Sequence, residues 1–326
     1  MTYKIIGDSC LDLTEELKRD PRFQMVPLTL QVGAAQVVDD ETFDQKDFLK
    51  KVAACPECPK SACPSPERYM KAYECEADHI YAVTLSSELS GSYNSAVLGK
   101  SLFLEDNPGK KIHVFNSRSA SGGESLIAMK IVECEEKGLS FEKIIETVDK
   151  YIEEMSTFFV LENLETLRKN GRLSRVKALV ASALKIKPVM GSTPEGSICQ
   201  LDQARGMNKA IVKMVEHVGE KGINIHEKTV AITHCNCPER AKMLEEAIRE
   251  RLNPAKIVVM DTAGGSKRWR RYCGCLILLQ QKLLVCSSEN YHISFWSCCF
   301  PFENRCAIIN EVFESAKENN NEPEES

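Results

Sequence analysis

The sequence contains no long apolar run and little excess charge of either sign. A helix that crosses a bilayer needs about 20 consecutive apolar residues, so the pattern excludes an integral membrane protein of the helical kind. The formal net charge is −5 and 27% of the residues are charged, which is ordinary for a globular chain. This mild acidity gives no reason to expect nucleic acid as a partner, because nucleic-acid-binding surfaces are basic.

A signal-peptide pattern is also missing at the N-terminus, where a short apolar strand begins at Tyr3. Fifteen cysteines are present, and six of them fall between Cys273 and Cys306. Since no export signal accompanies them, we expect a reduced, cytoplasmic compartment rather than a framework of disulfides.

The cysteines lack the regular spacing of a metal site. Cys55 and Cys58 have the C-x-x-C form and Cys63 follows, but no second C-x-x-C pair completes a zinc site. The sequence His234-Cys235-Asn236-Cys237 is another conceivable ligand set, although a strand end with Asn236 as a helix cap explains it as well. We favour structural roles for both sets and predict neither a metal nor a cofactor.

A strand, a small polar loop and a helix occur three times in the first half of the chain. The three loops begin at Asp8, at Thr84 and at Asn116. Such alternation is typical of a parallel sheet that carries ligand groups at the carboxyl ends of its strands. The fold class is therefore predicted to be α/β, with a parallel N-terminal sheet covered by helices on both faces and a smaller, mixed C-terminal domain.

The second of these loops has the clearest chemical character. Its hydroxyl residues are Thr84, Ser86, Ser87, Ser90 and Ser92. Gly91 allows close backbone approach, and the N-terminus of the following helix attracts anions. Glu88 is the only group in the loop suited to proton transfer, so we interpret the loop as a site that binds an anion without transforming it. An ordinary Ser-rich helix cap is the simpler alternative.

The predicted domains are residues 1–155 and 156–315, followed by a disordered tail at 316–326. The amphipathic helix Phe141–Met155 is predicted to connect them. Further predictions are one strand over Phe23–Val32, a helix at 176–184 and a helix over Pro238–Leu252. The segment 265–315 is atypical, because the basic cluster Lys267–Arg271 precedes an apolar run that supplies either one strand or a short buried helix.

Several ordered motifs resemble those of the DegV family, the fatty-acid-binding proteins of bacteria. The match covers residues 3 to 264. Its motifs are Gly7-Asp8-Ser9 with Asp12-Leu13, Ser61–Pro66, Leu85–Tyr93, Asn116-Ser117 with Ser121-Gly122, Leu164–Ser174 and Lys185–Pro188. Each motif is weakly specific alone, but their order and spacing together are strongly specific.

The resemblance implies that a long-chain fatty acid lies between two α/β domains. It also implies that the protein has no catalytic activity and presents the fatty acid carboxyl group to a separate fatty acid kinase, which feeds acyl-phosphate into phospholipid synthesis. Transient membrane contact is compatible with that role. Carried over from the family, Ser61 and Ser90 hold the carboxylate, and Arg172 lies at the binding region or the kinase contact. With the other loop residues, the expected fatty-acid-binding set is Ser61, Ser90, Gly91, Ser92, Ser117, Ser121 and Arg172.

The chain departs from the family pattern in three places. Ser61 stands where the family usually has Thr, Cys63 stands where Gln is usual, and the Gly-rich motif with a carboxyl-binding His is missing near the C-terminus. Ser61 keeps the hydroxyl that the family uses. The alternative function is a small-molecule enzyme that binds a phosphorylated substrate at the Ser-rich loops, although no base or metal set accompanies them.

Overall fold

The structure, a computed structural model, describes residues 2–162, 164–173, 186–222, 224–235 and 237–261, together with a strand at 275–280. The predicted helix at 176–184, the basic cluster Lys267–Arg271 and the predicted tail at 316–326 lie outside the described residues.

The described residues form strands and helices in regular alternation. The strands are β1 (Tyr3–Asp8), β2 (Phe23–Val26), β3 (Thr29–Val32), β4 (Ala35–Val38), β5 (Lys60–Ala62), β6 (His79–Thr84), β7 (Lys111–Asn116), β8 (Met155–Val160), β9 (Ile186–Ser192), β10 (Ile198–Arg205), β11 (Thr229–His234), β12 (Lys256–Asp261) and β13 (Cys275–Gln280). The α-helices are α1 (Glu15–Lys18), α2 (Gln45–Ala54), α3 (Pro66–Tyr73), α4 (Ser92–Asp106), α5 (Gly122–Glu136), α6 (Phe141–Glu153), α7 (Glu165–Lys169), α8 (Met207–Lys221) and α9 (Pro238–Leu252).

The first sheet has the strand order β2-β1-β6-β7, and all of its pairs are parallel. Because successive side chains of a strand point to opposite faces, Ile5 and Tyr81 pack with residues of α5 and α6. Ile6 and Ile80 pack on the other face with residues of α3 and α4. The predicted parallel sheet with helices on both faces is confirmed.

The second sheet has six strands in the order β10-β9-β8-β13-β11-β12. Its neighbours are antiparallel except β11 and β12, which are parallel. Residues of α8 and α9 share one apolar core with β8, β9 and β11. The apolar run near residue 276 forms the strand β13, between β8 and β11, and the predicted mixed α/β character of this half is confirmed.

The prediction of a single strand over Phe23–Val32 is wrong. The strand β2 joins the first sheet, whereas β3 joins a separate antiparallel sheet of order β4-β3-β5. Pro27 lies between them and has no N–H to donate to a sheet. The next N–H, that of Leu28, donates instead to the Ser9 hydroxyl at 3.0 Å. The strand β4 was not predicted from the sequence.

The cap of α9 also differs from the prediction. The helix covers Pro238–Leu252 as expected, but its N-cap residue is Cys237, whose side chain makes no capping hydrogen bond. Asn236, the predicted cap, lies outside the described residues. Pro238 at the first helical position supplies the preorganised backbone angle that starts the helix.

The helix α6 leads from the first sheet to the second. It packs on the first sheet through residues that include Phe141, Ile144 and Val148, and β8 begins at Met155, two residues after the helix ends. The boundary between two domains at this point stays a prediction. None of the described helices is long and apolar enough to cross a membrane.

Candidate functional site

The candidate site is built where three parallel strands end side by side. Thr84 at the end of β6 pairs with Asn116 at the end of β7, and β1 ends beside them at Asp8. The Leu85 N–H donates to Asp8 Oδ2 at 2.9 Å, and the Ser87 N–H donates to Asn116 Oδ1 at 3.1 Å. The end residues of the outer strands thus fix the loop that follows the central strand.

Asp8 is fully buried and ties the start of α4 to the end of β1. The hydroxyl of Ser92 donates to Asp8 Oδ2 at 2.5 Å, and the Tyr69 hydroxyl lies 2.7 Å from Ser92 Oγ. The Cys10 N–H donates to Asp8 Oδ1 at 3.0 Å. Ser92 is therefore buried, and its hydroxyl is committed to contacts inside the protein.

The first residues of α5 are held in a similar way. The Ser121 hydroxyl contacts the Asp12 carboxylate and lies 3.1 Å from the Thr233 hydroxyl of β11. The Ser121 N–H donates to Glu124 Oε1 at 3.2 Å. We call Asp8, Asp12, Ser92, Ser121 and Glu124 the buried network, because all five side chains are buried and each contacts a group inside the protein.

Burial and electrostatic repulsion both disfavour negative charge on the carboxyl groups of the buried network. Burial and the neighbouring charges of Asp8 and Asp12 raise the pKa of Glu124 well above its usual range. Burial also raises the pKa of Asp8, although the hydrogen bonds from Ser92 and the Leu85 N–H oppose that rise. A carboxyl group in such surroundings is more stable protonated, so the buried network favours the protonated form of Glu124.

Ser117 is buried as well. Its hydroxyl donates to the Ser119 carbonyl at 3.0 Å and accepts from the Ser119 N–H at 3.1 Å. Three of the predicted site hydroxyls, those of Ser92, Ser117 and Ser121, thus have partners within the fold.

The four remaining predicted residues lie on the loop that follows β6 or on segments that contact it. The Arg172 Nε donates to the Leu89 carbonyl at 3.2 Å, one residue before Ser90, and its Nη1 donates to the Asn170 carbonyl at 2.8 Å. The Asn170 Nδ2 in turn donates to the Pro59 carbonyl at 3.3 Å. The turn after α7 therefore joins the loop before β5 to the loop before α4.

Ser61 lies on β5, opposite Leu30 of β3. Two residues on, Cys63 Sγ would be only 3.1 Å from a Cβ placed on Gly91, and it lies 3.8 Å from Ser95 Oγ. The residue that follows β5 is thus packed against the start of α4. We call Ser61, Ser90, Gly91 and Arg172 the rim. Its serines and Arg172 are half-buried and Gly91 is exposed.

The rim has the chemistry of an anion site. Hydroxyls and the first N–H groups of a helix donate to an anion, and a guanidinium adds positive charge. The structure places four of the seven predicted residues on segments that contact one another at the rim, and it places the other three inside the protein. Their contact with a ligand stays a prediction in every case.

Sequence reasoning missed a contact between this loop and the second sheet. The turn Thr193–Ser197 joins β9 to β10; the Ser86 hydroxyl donates to the Gly196 carbonyl at 2.9 Å, and the Ser197 hydroxyl donates to Glu88 Oε2 at 2.8 Å. The T-P-E-G sequence signals a turn, but no local pattern shows what the turn touches.

The histidines and cysteines show no sign of a metal centre in the described part of the chain, where no three His, Cys, Asp or Glu side chains converge on one point. The Cys58 Sγ accepts from Asn170 Nδ2 at 3.2 Å, and His234 Nδ1 lies 3.6 Å from Asp261 Oδ1.

Comparison with known proteins gives a consistent result. A family model described as "Uncharacterised protein, DegV family" matches residues 2–279. A DegV domain-containing protein of Streptococcus gordonii is 35% identical over 266 residues, which cover 81% of this chain and 94% of that protein. A DegV domain-containing protein of Streptococcus pneumoniae is 36% identical over the same length and coverage.

Two solved structures are similar over nearly their whole length. A DegV-family protein of Ruminococcus gnavus, refined with vaccenic acid, is 52% identical with a TM-score of 0.83, covering 85% of this chain and 99% of that one. The Streptococcus pneumoniae fatty acid kinase (Fak) B3 protein, loaded with linoleic acid, is 34% identical with a TM-score of 0.79, covering 86% and 100%.

Proposed function

This chain belongs to the DegV family, and we propose that it binds a long-chain fatty acid and presents the carboxyl group to a separate fatty acid kinase. The observation that carries the proposal is the rim, where Arg172 donates to the carbonyl of the residue before Ser90 and Cys63, two residues after Ser61, lies against Gly91. The relatives refined with vaccenic acid and loaded with linoleic acid support the choice of ligand.

The rim suits a carboxylate for two reasons. Half-buried hydroxyls and helix N–H groups supply hydrogen bonds to its oxygens without the full desolvation cost of a closed cavity. The Arg172 guanidinium donates hydrogen bonds to the Leu89 and Asn170 carbonyl groups, so its positive charge lies beside the residue that precedes Ser90. Burying about 14 methylenes at about 0.8 kcal/mol each gives the acyl chain on the order of 11 kcal/mol of gross transfer energy.

The proposal assigns binding rather than catalysis to the protein. Glu88 is the one acidic group of the loop, and its Oε2 accepts a hydrogen bond from Ser197 at 2.8 Å. A general base must lie within hydrogen-bond reach of the proton that it removes. Glu88 is instead engaged with the turn of the second sheet, so phosphoryl transfer to the carboxyl group is left to the kinase.

Mass spectrometry of an organic extract tests the ligand. Full-length protein purified from a bacterial host should release long-chain fatty acid in near-equimolar amount. A water-soluble phosphorylated compound in the extract, with no fatty acid, would instead support the enzyme that binds a phosphorylated substrate.

Arg172→Ala tests the presentation step. An added fatty acid kinase should form acyl-phosphate about tenfold more slowly from the variant, because loss of a charged hydrogen-bonding group costs on the order of 1.5–3 kcal/mol. Fatty-acid affinity should change less. Arg19→Ala, which removes an exposed arginine at the C-cap of α1, is the control. Normal turnover of the Arg172 variant would remove this residue from the kinase contact.

A further inference from the structure

We propose that Leu89 is a positioning residue, which anchors the loop of the first sheet to an apolar cluster of the second sheet and so orients the Ser90 hydroxyl toward the bound carboxyl group. This inference rests on the proposed function, because it concerns the same site. It adds that the geometry of the carboxyl-binding hydroxyl depends on both sheets.

Leu89 is held through its side chain and through its backbone. The side chain packs against an apolar cluster formed by Leu167, Leu173, Met190 and Ile198. These residues come from α7, the turn after it, β9 and β10. The Leu89 carbonyl accepts the hydrogen bond from Arg172 Nε at 3.2 Å. A residue of the first sheet's loop is thus packed against an apolar cluster of the second sheet, separate from the core that the sheet shares with α8 and α9.

The turn Thr193–Ser197 holds the residues just before Leu89. It contacts the Ser86 and Glu88 side chains through hydrogen bonds of 2.9 and 2.8 Å. A Cβ on Gly196 would lie 2.4 Å from Ser86 Oγ and 2.7 Å from Arg118 Cα, and Gly196 has φ +92°. The turn therefore lies too close to the loop for a side chain at Gly196, and the positive φ of this residue also favours glycine.

The residues after Ser90 belong to the first sheet. The Ser92 hydroxyl donates to buried Asp8, so this end of the loop is fixed independently of Leu89. Ser90 lies between the two anchors: its N–H donates to the Ser86 carbonyl at 3.0 Å, and its Oγ accepts from the Ser92 N–H at 3.3 Å. Removing the Leu89 anchor should therefore move Ser90 while Ser92 stays in place.

A binding measurement with matched leucine variants tests this assignment. We would compare Leu89→Ala, the conservative Leu89→Met and the control Leu252→Ala, which truncates another partly buried leucine, in the core of the second sheet. The dissociation constant of vaccenic acid would be measured by displacement of cis-parinaric acid. Misplaced binding groups cost affinity steeply, so Leu89→Ala should bind about tenfold more weakly. Leu89→Met should stay within about threefold of wild type, and Leu252→Ala within about twofold.

Equal affinities of Leu89→Ala and Leu252→Ala at a similar loss of thermal stability would overturn the positioning role. If wild-type protein does not bind vaccenic acid, the proposed function fails first, and hydrogen exchange then tests the anchor without a ligand. Ser197→Ala provides a milder variant that leaves the apolar cluster intact and removes the hydroxyl that donates to Glu88. It should weaken binding about threefold, and unchanged binding counts against the anchor.

Hydrogen exchange provides a readout of the loop alone. In Leu89→Ala, the Ser90 amide should exchange faster than in wild type, while amides of α4 from Ser95 onward, whose N–H donates to the Gly91 carbonyl, keep their wild-type rates. Unchanged exchange at Ser90 would overturn the anchor. Equally fast exchange throughout α4 would also overturn it, because the substitution would then act on the fold and not on the loop.

Discussion

The buried network and the rim both include serines of the loop that follows β6, yet these serines lie in different surroundings. Ser92 and Ser90 are two residues apart, but Ser92 is fully buried against Asp8 while Ser90 is half-buried beside the Arg172 turn. A buried hydroxyl almost always has a hydrogen-bond partner inside the protein. One Ser-rich loop thus contains both residues that are buried in the fold and residues that are partly exposed.

The largest expected effect comes from removing the centre of the buried network. Asp8→Ala leaves the Leu85 N–H, the Cys10 N–H and the Ser92 hydroxyl without their acceptor. Each buried group left unpaired costs about 1–3 kcal/mol, so we expect the free energy of unfolding to fall by about 3–5 kcal/mol in urea denaturation. Asp106→Ala, at an exposed position on α4, should change it by less than about 0.5 kcal/mol. Similar free energies of unfolding for the two variants would show that the buried network contributes no more to stability than an exposed residue does.

The two serines of the loop give the next test. Ser92→Ala should lower the free energy of unfolding by about 1–3 kcal/mol, because Asp8 and Tyr69 lose a buried partner. Ser90→Ala should leave stability nearly unchanged and weaken fatty-acid binding by about 1–3 kcal/mol, the cost of one bond to a charged group. Denaturation and fatty-acid displacement measure the two effects, with exposed Ser101→Ala as the control. If Ser90→Ala binds fatty acid like wild type, Ser90 does not belong to the site.

The pH dependence of stability tests the electrostatics of the buried network. Because burial and the charges of Asp8 and Asp12 raise the Glu124 pKa above its ordinary value of 4.5, the folded protein holds the Glu124 proton to a higher pH than the unfolded chain does. The contribution of Glu124 to stability must then fall as pH rises above 4.5, by at most about 1.4 kcal/mol per pH unit for one proton. Glu124→Gln cannot release this proton, so its stability relative to wild type should increase between about pH 5 and 8. A stability difference that stays constant over that range would contradict the assignment of the proton to Glu124.

The smallest effect is expected at the rim. A methyl group on Gly91 would lie 3.1 Å from Cys63 Sγ, so the Cys63 side chain has to shift by a few tenths of an ångström. Gly91→Ala should cost no more than about 1 kcal/mol in stability and weaken fatty-acid binding about twofold to threefold. The control is Gly109→Ala, where no atom lies within 4 Å of the added Cβ. Adding Cys63→Ala to the Gly91 variant should restore affinity, and failure to do so would show that this contact does not shape the site.

The sequence predicted most of the elements that carry the site. The strands β1, β6 and β7 end at Asp8, Thr84 and Asn116, where the three polar loops were predicted to begin, because apolar runs and polar strand ends are local signals. Phe23–Val32 was predicted as one strand because both parts look like strands, and only Pro27 marks the break. Strand partners depend on distant residues, so their assignment to two sheets had no local signal.

By itself, the sequence determined the parallel sheet, the hydroxyl-rich loops at its carboxyl edge and membership of the family. These follow from hydrophobic period, turn chemistry and motif order, which neighbouring residues encode. Only the tertiary structure decided which hydroxyls are hydrogen-bonded inside the protein and that Leu89 packs against an apolar cluster of the second sheet. Burial and hydrogen-bond partners are set by chain segments about 80 to 110 residues away, as in the bonds from Leu85 to Asp8 and from Ser86 to Gly196. A serine looks the same in sequence whether its partner is a buried carboxylate or a ligand.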